Sequence, residues 1–258
     1  MRQIPHEHFA LAVLISLGKS SGSGFLYRTD KHAYLVTAKH VLFDEQNKLR
    51  TEEIEVTCQS SALEDESTIR YRFNLNTLKT IFHKKNDIAI IQYGNIIQIK
   101  KTTTTFHLSV GAERIEKGNY NAIQATRMNV DLLNDIYISN DIFVFGYPTS
   151  LGIQTSRQFD YSKPLLRKGV VANIYKETYT IILDCPVYGG NSGGPVIQII
   201  EIDNKKRYRL IGVISQYIPY VQKWSNDRDR LSHIEYLNSG YSVATSFNPV
   251  LELIESLE

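Results

Sequence analysis

YGGNSGGPVI, residues 188–197, is the stretch on which the reading of this chain turns. Gly189, Gly190, Gly193 and Gly194 surround Asn191 and Ser192, and Pro195 leads into Val196 and Ile197. A turn needs one or two glycines, because glycine takes up positive φ without steric cost. Four around one serine mean either an elaborate loop or a backbone shaped to expose a reactive hydroxyl.

By pattern, Gly190 to Gly194 match G-x-S-x-G, the nucleophile elbow of α/β-hydrolases. The elbow requires strand, sharp turn and helix, whereas Pro195, Val196, Ile197, Ile199 and Ile200 read as a strand. Its acid and histidine must also follow the serine. The one later histidine is His233, with Asp227 and Asp229 before it in a charged loop. That reading is poor.

The opposite order, histidine and acid before the serine, fits better. His40 follows the apolar run YLVTA, and Asp87 opens the apolar run DIAIIQY. An acid drawn inward at the start of a buried strand needs a partner for its carboxylate, and His40 would supply it. Taken singly, His40 could be a satisfied core histidine, Asp87 a strand cap and Ser192 a turn serine. Their joint occurrence in this order favours a catalytic set. His32, His83, His107 and His233 lack such a context and are read as surface or core residues.

The rest of the chain agrees with a β fold. Short runs rich in Val, Ile, Tyr, Phe and Thr recur between Gly, Asn, Asp, Ser and Lys: FALAVLISL, SGFLYRT, AYLVTA, EIEVTC, IRYRFNL, DIFVFGY, KGVVANI, TYTIILDC, YRLIGVIS and GYSVATS among them. Few segments have helical period, which points to an all-β barrel or sandwich. The exceptions are one turn at HVLFDE and a closing helix, NPVLELIESLE. There Asn248 is the expected N-cap, Pro249 the first helical residue, and Val250, Leu253, Ile254 and Leu257 the apolar side. Residues 94–138 are the least patterned and are expected to hold the link between two β units. Residues 216–239 exceed a hairpin loop and are read as a functional lid, a packed surface loop, or a loop carrying a short helix.

Composition narrows the function classes. The chain has 258 residues, 42% hydrophobic and 22% charged, with net charge +2. That is an ordinary globular balance, too neutral to argue for nucleic acid or an anionic membrane. Lys205, Lys206, Arg207 and Arg209 form a local basic run, read as a solvated hairpin turn. Cys58 and Cys185, the two cysteines, lie far apart and are read as buried small hydrophobes rather than a disulfide or a zinc site. No run reaches transmembrane length. The N-terminal FALAVLISL imitates a signal peptide, but Glu7 and two histidines flank it, so it is read as the first strand. The expected compartment is the cytoplasm, with an exported or periplasmic location as the alternative.

T-A-x-H, N-D-I-A-I-I and G-N-S-G-G-P-V, in that order, resemble the trypsin/chymotrypsin-like serine peptidases, in particular the disulfide-free bacterial branch similar to HtrA-type and glutamyl endopeptidase protease domains. SGSGFLY, VFGYP and GYSVATS extend the resemblance over about Phe9 to Glu258. It implies two six-stranded β-barrels with the active site in the cleft between them and a C-terminal helix. The units expected are a first barrel at 9–115 carrying His40 and Asp87, a linker at 116–135, a second barrel at 136–247 carrying Ser192, and the helix at 248–258.

It implies a serine endopeptidase acting on protein or peptide substrates through an acyl-enzyme. His40 is the base, Asp87 orients it, Ser192 is the nucleophile, and the backbone N–H groups of Gly190 and Ser192 form the oxyanion hole. Gly193 and Gly194 would let the loop pass close beneath the histidine's barrel, and Ser215 would abut the triad. The substrate-binding residues expected are Pro186 at the base of the specificity pocket, the walls Val187, Tyr188 and Gly189, then Ser215, Gln216 and Tyr217, and Gly240. None is charged, which favours a small or medium apolar residue before the cut.

Asn191 departs from the family, whose zymogens carry there an aspartate that pairs with a freshly cut N-terminal amine; activity without N-terminal clipping is therefore expected. No metal or cofactor is expected. A non-peptidase acyl hydrolase or transferase, or a catalytically silent binding module of the same fold, are the alternatives.

Overall fold

A computed structural model of the chain describes residues 4–60, 67–100, 103–116, 122–149, 158–226 and 231–258. Two curled antiparallel sheets and a closing helix make up the fold. The first sheet runs from β1 (Ala12–Leu17) through β2 (Ser20–Arg28), β3 (His32–Thr37), β4 (Glu53–Gln59), β5 (Thr68–Asn74), β6 (Lys79–Phe82), β7 (Ala89–Lys100), β8 (Thr103–Leu108) and β9 (Ala112–Glu116). Its order is β6-β7-β3-β2-β1-β4-β5-β9, with β8 paired to β7. The second is a closed six-stranded barrel of β10 (Asp141–Gly146), β11 (Leu165–Tyr175), β12 (Thr180–Asp184), β13 (Pro195–Ile202), β14 (Lys205–Asn226) and β15 (Leu231–Ser246). The second barrel thus has the six strands expected, and the first sheet carries nine among the described residues.

The apolar runs lack polar alternation because both of their faces are covered. Val13, Ile15, Leu35, Ala89 and Ile91 fill the interior of the first sheet, with Tyr71, Phe73 and Tyr93. Their neighbours Ala12, Tyr34, Val36, Ile88 and Ile90 point the other way. These meet Phe143, Phe145, Ile197 and Val213 of the second barrel in a core shared by both units. The second barrel has an interior of its own around Val144, Leu183, Val196 and Ile211. The shared core fixes how the two units face each other, and so fixes the cleft between them.

Among the described residues two α-helices complete the architecture. α1 (Lys39–Leu42) is the single turn expected after Ala38. α2 (Asn248–Leu257) buries Val250, Leu253 and Ile254 in the shared core. Asn248 does not cap it: the N-cap is Phe247, and Asn248 Oδ1 instead accepts from Leu133 N at 3.1 Å, tying the helix to the inter-barrel segment.

Within the weakly patterned stretch 94–138, β8 and β9 belong to the first sheet. Two expectations need correction. The described residues of 216–239 form neither a packed loop nor a short helix. Pro219–Asn226 pairs with Leu231–Asn238 as a β-ribbon extending β14 and β15, with Tyr220, Trp224 and Tyr236 exposed; the charged tip, residues 227–230, lies outside the described residues. In the basic run, Asp203 and Asn204 do form a tight turn with positive φ at both positions. Arg209, however, is mostly shielded and pairs with Asp131 at 2.7 Å, whose other oxygen accepts from Gln198 Nε2 at 2.8 Å.

Candidate active site

α1 presents His40 at the rim of the first sheet, held from behind by Arg50, whose Nε donates to the carbonyls of His40 (2.9 Å) and Phe43 (3.1 Å). The turn before β7 presents Asp87. Asp87 Oδ2 lies 2.8 Å from His40 Nδ1, and Oδ1 accepts from the His40 backbone N–H at 3.0 Å. The pairing assigns the ring proton to Nδ1 and leaves Nε2 as the acceptor. The expected partnership is present, but not the expected burial: the side chains of His40 and Asp87 are 48% and 31% exposed, because the cleft stands open.

His83, read from sequence as a bystander, organises this turn. Its Nδ1 accepts from the backbone N–H of Asn86 (3.0 Å) and Lys85 (3.3 Å), and its Nε2 meets Glu252 of α2 at 3.0 Å. Asn86 Nδ2 donates across the cleft to Thr178 O at 2.8 Å.

Ser192 comes from the second barrel, in the loop that enters β13. It lines the same cleft of about 620 Å³ as His40 and Asp87. Among the described residues its Oγ donates to Ser215 O at 3.3 Å rather than to His40. Ser215 is free to accept because a bulge in β14 between Ile214 and Gln216 takes it out of register with β15. Catalytic hydrogen bonds are often unmade in a free site and form only once substrate is bound.

The glycines have separate tasks. Gly190 has φ +96, and a side chain there would meet Thr149 N at 2.7 Å. Gly193 has φ +87, and its missing Cβ leaves room for Ser23 O and Thr37 Oγ1 of the first sheet. That is the close approach expected beneath the histidine's barrel. Gly194 does a different job, lying against Phe145 O inside its own barrel.

The carbonyls beside the two candidate oxyanion donors are pinned. Gly189 O accepts from Thr149 N at 3.0 Å, and Asn191 O accepts from Gly194 N at 2.9 Å. In a trans peptide the N–H points opposite its carbonyl. The N–H groups of Gly190 and Ser192 are therefore turned the other way, and neither donates to a protein acceptor among the described residues. Asn191 is buried and its Oδ1 accepts from Tyr188 N at 3.1 Å.

Of the expected substrate-binding residues, Val187, Tyr188, Gly189, Ser215, Gln216 and Tyr217 line the cleft. Pro186 and Gly240 do not; Val243 and Thr245 do, with Thr180 beside Thr245 on the paired strand β12, Thr178, and Lys85 from the turn before β7. β15 runs antiparallel to β14, so Val243, opposite Gln216, is the residue brought to the floor. Among the described residues no cluster of three or more His, Cys, Asp or Glu is placed to hold a metal ion, and no helix is long and apolar enough to cross a membrane.

Residues 22–201 match the family of trypsin-like peptidase domains, and the chain belongs to that family. Its fold is that of a solved mutant of human heparin binding protein (CAP37), with a TM-score of 0.56 at 12% identity over 99% of this chain and 94% of that one. No curated protein matches the sequence.

Proposed function

We propose that the protein is a serine endopeptidase using His40, Asp87 and Ser192. The observation that carries this is the convergence, in one cleft, of a histidine tautomerically fixed by a carboxylate and a serine hydroxyl, beside the backbone N–H groups of Gly190 and Ser192, which have no protein acceptor among the described residues. Substrate entry would turn Ser192 Oγ from Ser215 O to His40 Nε2. His40 would take the hydroxyl proton as the oxygen attacks the scissile carbonyl, with Asp87 stabilising the imidazolium. Gly190 and Ser192 N–H would receive the oxyanion, where one such donor contributes about 10²–10³ in rate. His40 would then pass its proton to the leaving amine, and water would hydrolyse the acyl-enzyme by the same steps.

An apolar residue before the cut fits walls built from Val187, Gly189, Ser215, Gln216, Tyr217, Val243 and Thr245, with no charge among them. The exposed Gln216 edge of β14 would pair with extended substrate backbone. Activity without N-terminal clipping fits Asn191, whose amide satisfies its own loop and carries no charge to pair.

A silent binding module is the competing reading. The structural relative named for heparin binding raises it, but a net charge of +2 gives little basis for a polyanion ligand. The test is fluorophosphonate labelling of the wild type and of Ser192→Ala, followed by a proteome-wide cleavage screen. Labelling of the wild type alone, with apolar residues before the cut sites, is expected. Absence of labelling in both would overturn the catalytic reading, and a profile dominated by Arg, Lys or Glu would overturn the specificity.

A further inference from the structure

The motif SGSGF, residues 21–25, lies on β2 of the first sheet, yet one of its side chains is built into the nucleophile loop of the second barrel. Ser23 is fully buried. Its Oγ donates to Gly190 O at 2.6 Å and accepts from Tyr147 N at 2.9 Å. Its backbone N–H donates to Ser192 O at 2.9 Å, and its own carbonyl is held by Thr37 Oγ1 at 2.7 Å. Every polar group of this one residue is used, and three of these four bonds cross to the other barrel.

We propose that Ser23 is the positioning residue that sets the oxyanion hole, a neutral latch in place of a charged one; the proposal rests on the serine-peptidase reading above. Gly190 is the most easily rotated residue of the loop, since its φ of +96 lies where only glycine moves freely. Both peptide units flanking it must be held if its N–H is to point into the cleft. Thr149 N holds the carbonyl before it, and Ser23 Oγ holds the carbonyl after it. The same Oγ receives Tyr147 N, so one hydroxyl fixes the loop against the 147–149 segment that supplies the other pin. Among the described residues the Asn191 side chain hydrogen-bonds to Tyr188 in its own loop and to nothing of the first sheet, and so does not make this tie between barrels. An oxyanion donor acts through its orientation, so losing the hydroxyl should spare binding and slow the chemistry.

The test compares wild type, Ser23→Ala and Ser192→Ala by saturation kinetics of fluorophosphonate labelling, alongside crystal structures of wild type and Ser23→Ala. In Ser23→Ala the limiting labelling rate is expected to fall about 10²–10³-fold. The half-saturating probe concentration should stay within about twofold, and the Gly189–Gly190 peptide should be turned from its wild-type orientation. A wild-type limiting rate in folded Ser23→Ala, or equal losses in rate and half-saturation with the loop unmoved, would overturn the proposal. If Ser23→Ala does not fold, Ser23→Cys replaces it, filling similar space with a weaker donor. Should the wild type itself fail to label, the peptidase reading falls while the loop structures still decide the latch: an unmoved 188–192 backbone rejects it.

Discussion

Asp87 holds His40 at two points, one carboxylate oxygen on the ring Nδ1 at 2.8 Å and the other on the His40 backbone N–H at 3.0 Å. The backbone bond fixes where α1 begins, and the ring bond fixes which nitrogen carries the proton. A carboxylate can do both because both of its oxygens accept.

Asp87→Asn separates these two tasks. The carboxamide has one acceptor oxygen. If it serves the backbone N–H, its NH₂ faces Nδ1 and drives the ring proton to Nε2, which can then no longer accept from Ser192. Both hydrogen bonds survive, so the fold should persist with a thermal midpoint close to wild type. The fluorophosphonate labelling rate should fall by about 10⁴. Labelling at the wild-type rate would mean that the tautomer is set by something other than Asp87.

The two cysteines should be chemically silent. Cys58 is free and fully buried, and burial pushes its thiol up to about 12; Cys185 is free, and burial pushes it up to about 11. At pH 8 the reactive thiolate would be at most about one part in 10³ even without the steric barrier. An aromatic disulfide reagent at pH 8 should titrate no thiol in the native protein and both after denaturation. Fast reaction of either in the native state would contradict the packing described.

The parts of this structure legible in the sequence are those that place a demand on their own residues. The strand segments with both faces buried, such as Ala33–Val36 of β3 and Ala89–Ile91 of β7, declare themselves as apolar runs. The loop that carries Ser192 declares itself through Gly190 and Gly193, whose positive φ leaves little choice of residue. β6, β8 and β9 went unread because much of their length is only partly buried, so apolar periodicity hardly marks them. The roles of Ser23 and His83 are not legible in the sequence because Ser23 acts on a backbone carbonyl 167 residues away and His83 ties its own turn to Glu252, 169 residues away, and nothing local marks such partners. Counting along the chain points to Pro186 and Gly240, whereas the pairing of β14 with β15 brings Val243 and Thr245 to the cleft.

The ribbon beyond Tyr217 should be dispensable for folding. Among the described residues no third strand joins Pro219–Asn226 and Leu231–Asn238. The register places Tyr220, Trp224 and Leu237 on one face and Val221, Ile234 and Tyr236 on the other, all exposed. Its base is tied to the cleft wall by Asn238 Nδ2, which donates to Val187 O at 2.6 Å. Replacing residues 222–235 with a two-residue Asn-Gly turn keeps that tie and closes the ribbon at Val221 and Tyr236. The thermal midpoint should move by no more than a few degrees, and the labelling rate should change by no more than about twofold. A large loss of labelling would show that the distal ribbon shapes the cleft.

Asn191→Asp tests whether the loop is built for a neutral side chain. Asn191 is 1% exposed, and its Oδ1 accepts from Tyr188 N at 3.1 Å, a bond that aspartate can keep. What changes is the charge. Burial disfavours the carboxylate, so the folded pKa of the new acid should stand above the unfolded value of about 3.9. The variant then folds with near-wild-type stability at pH below the unfolded value, where the acid is protonated in both states. Stability is lost as the pH rises from there to the folded pKa, at about 1.4 kcal/mol for each unit separating the two. At pH 8 a deficit of about 3 kcal/mol is expected, narrowing at pH 4, and denaturant midpoints at the two pH values measure it. The labelling rate at pH 8 should fall with it, since Asn191 lies between the two oxyanion amides. Equal stability at pH 8 would mean that a cation reaches the loop and that a charged latch is available to this protein after all.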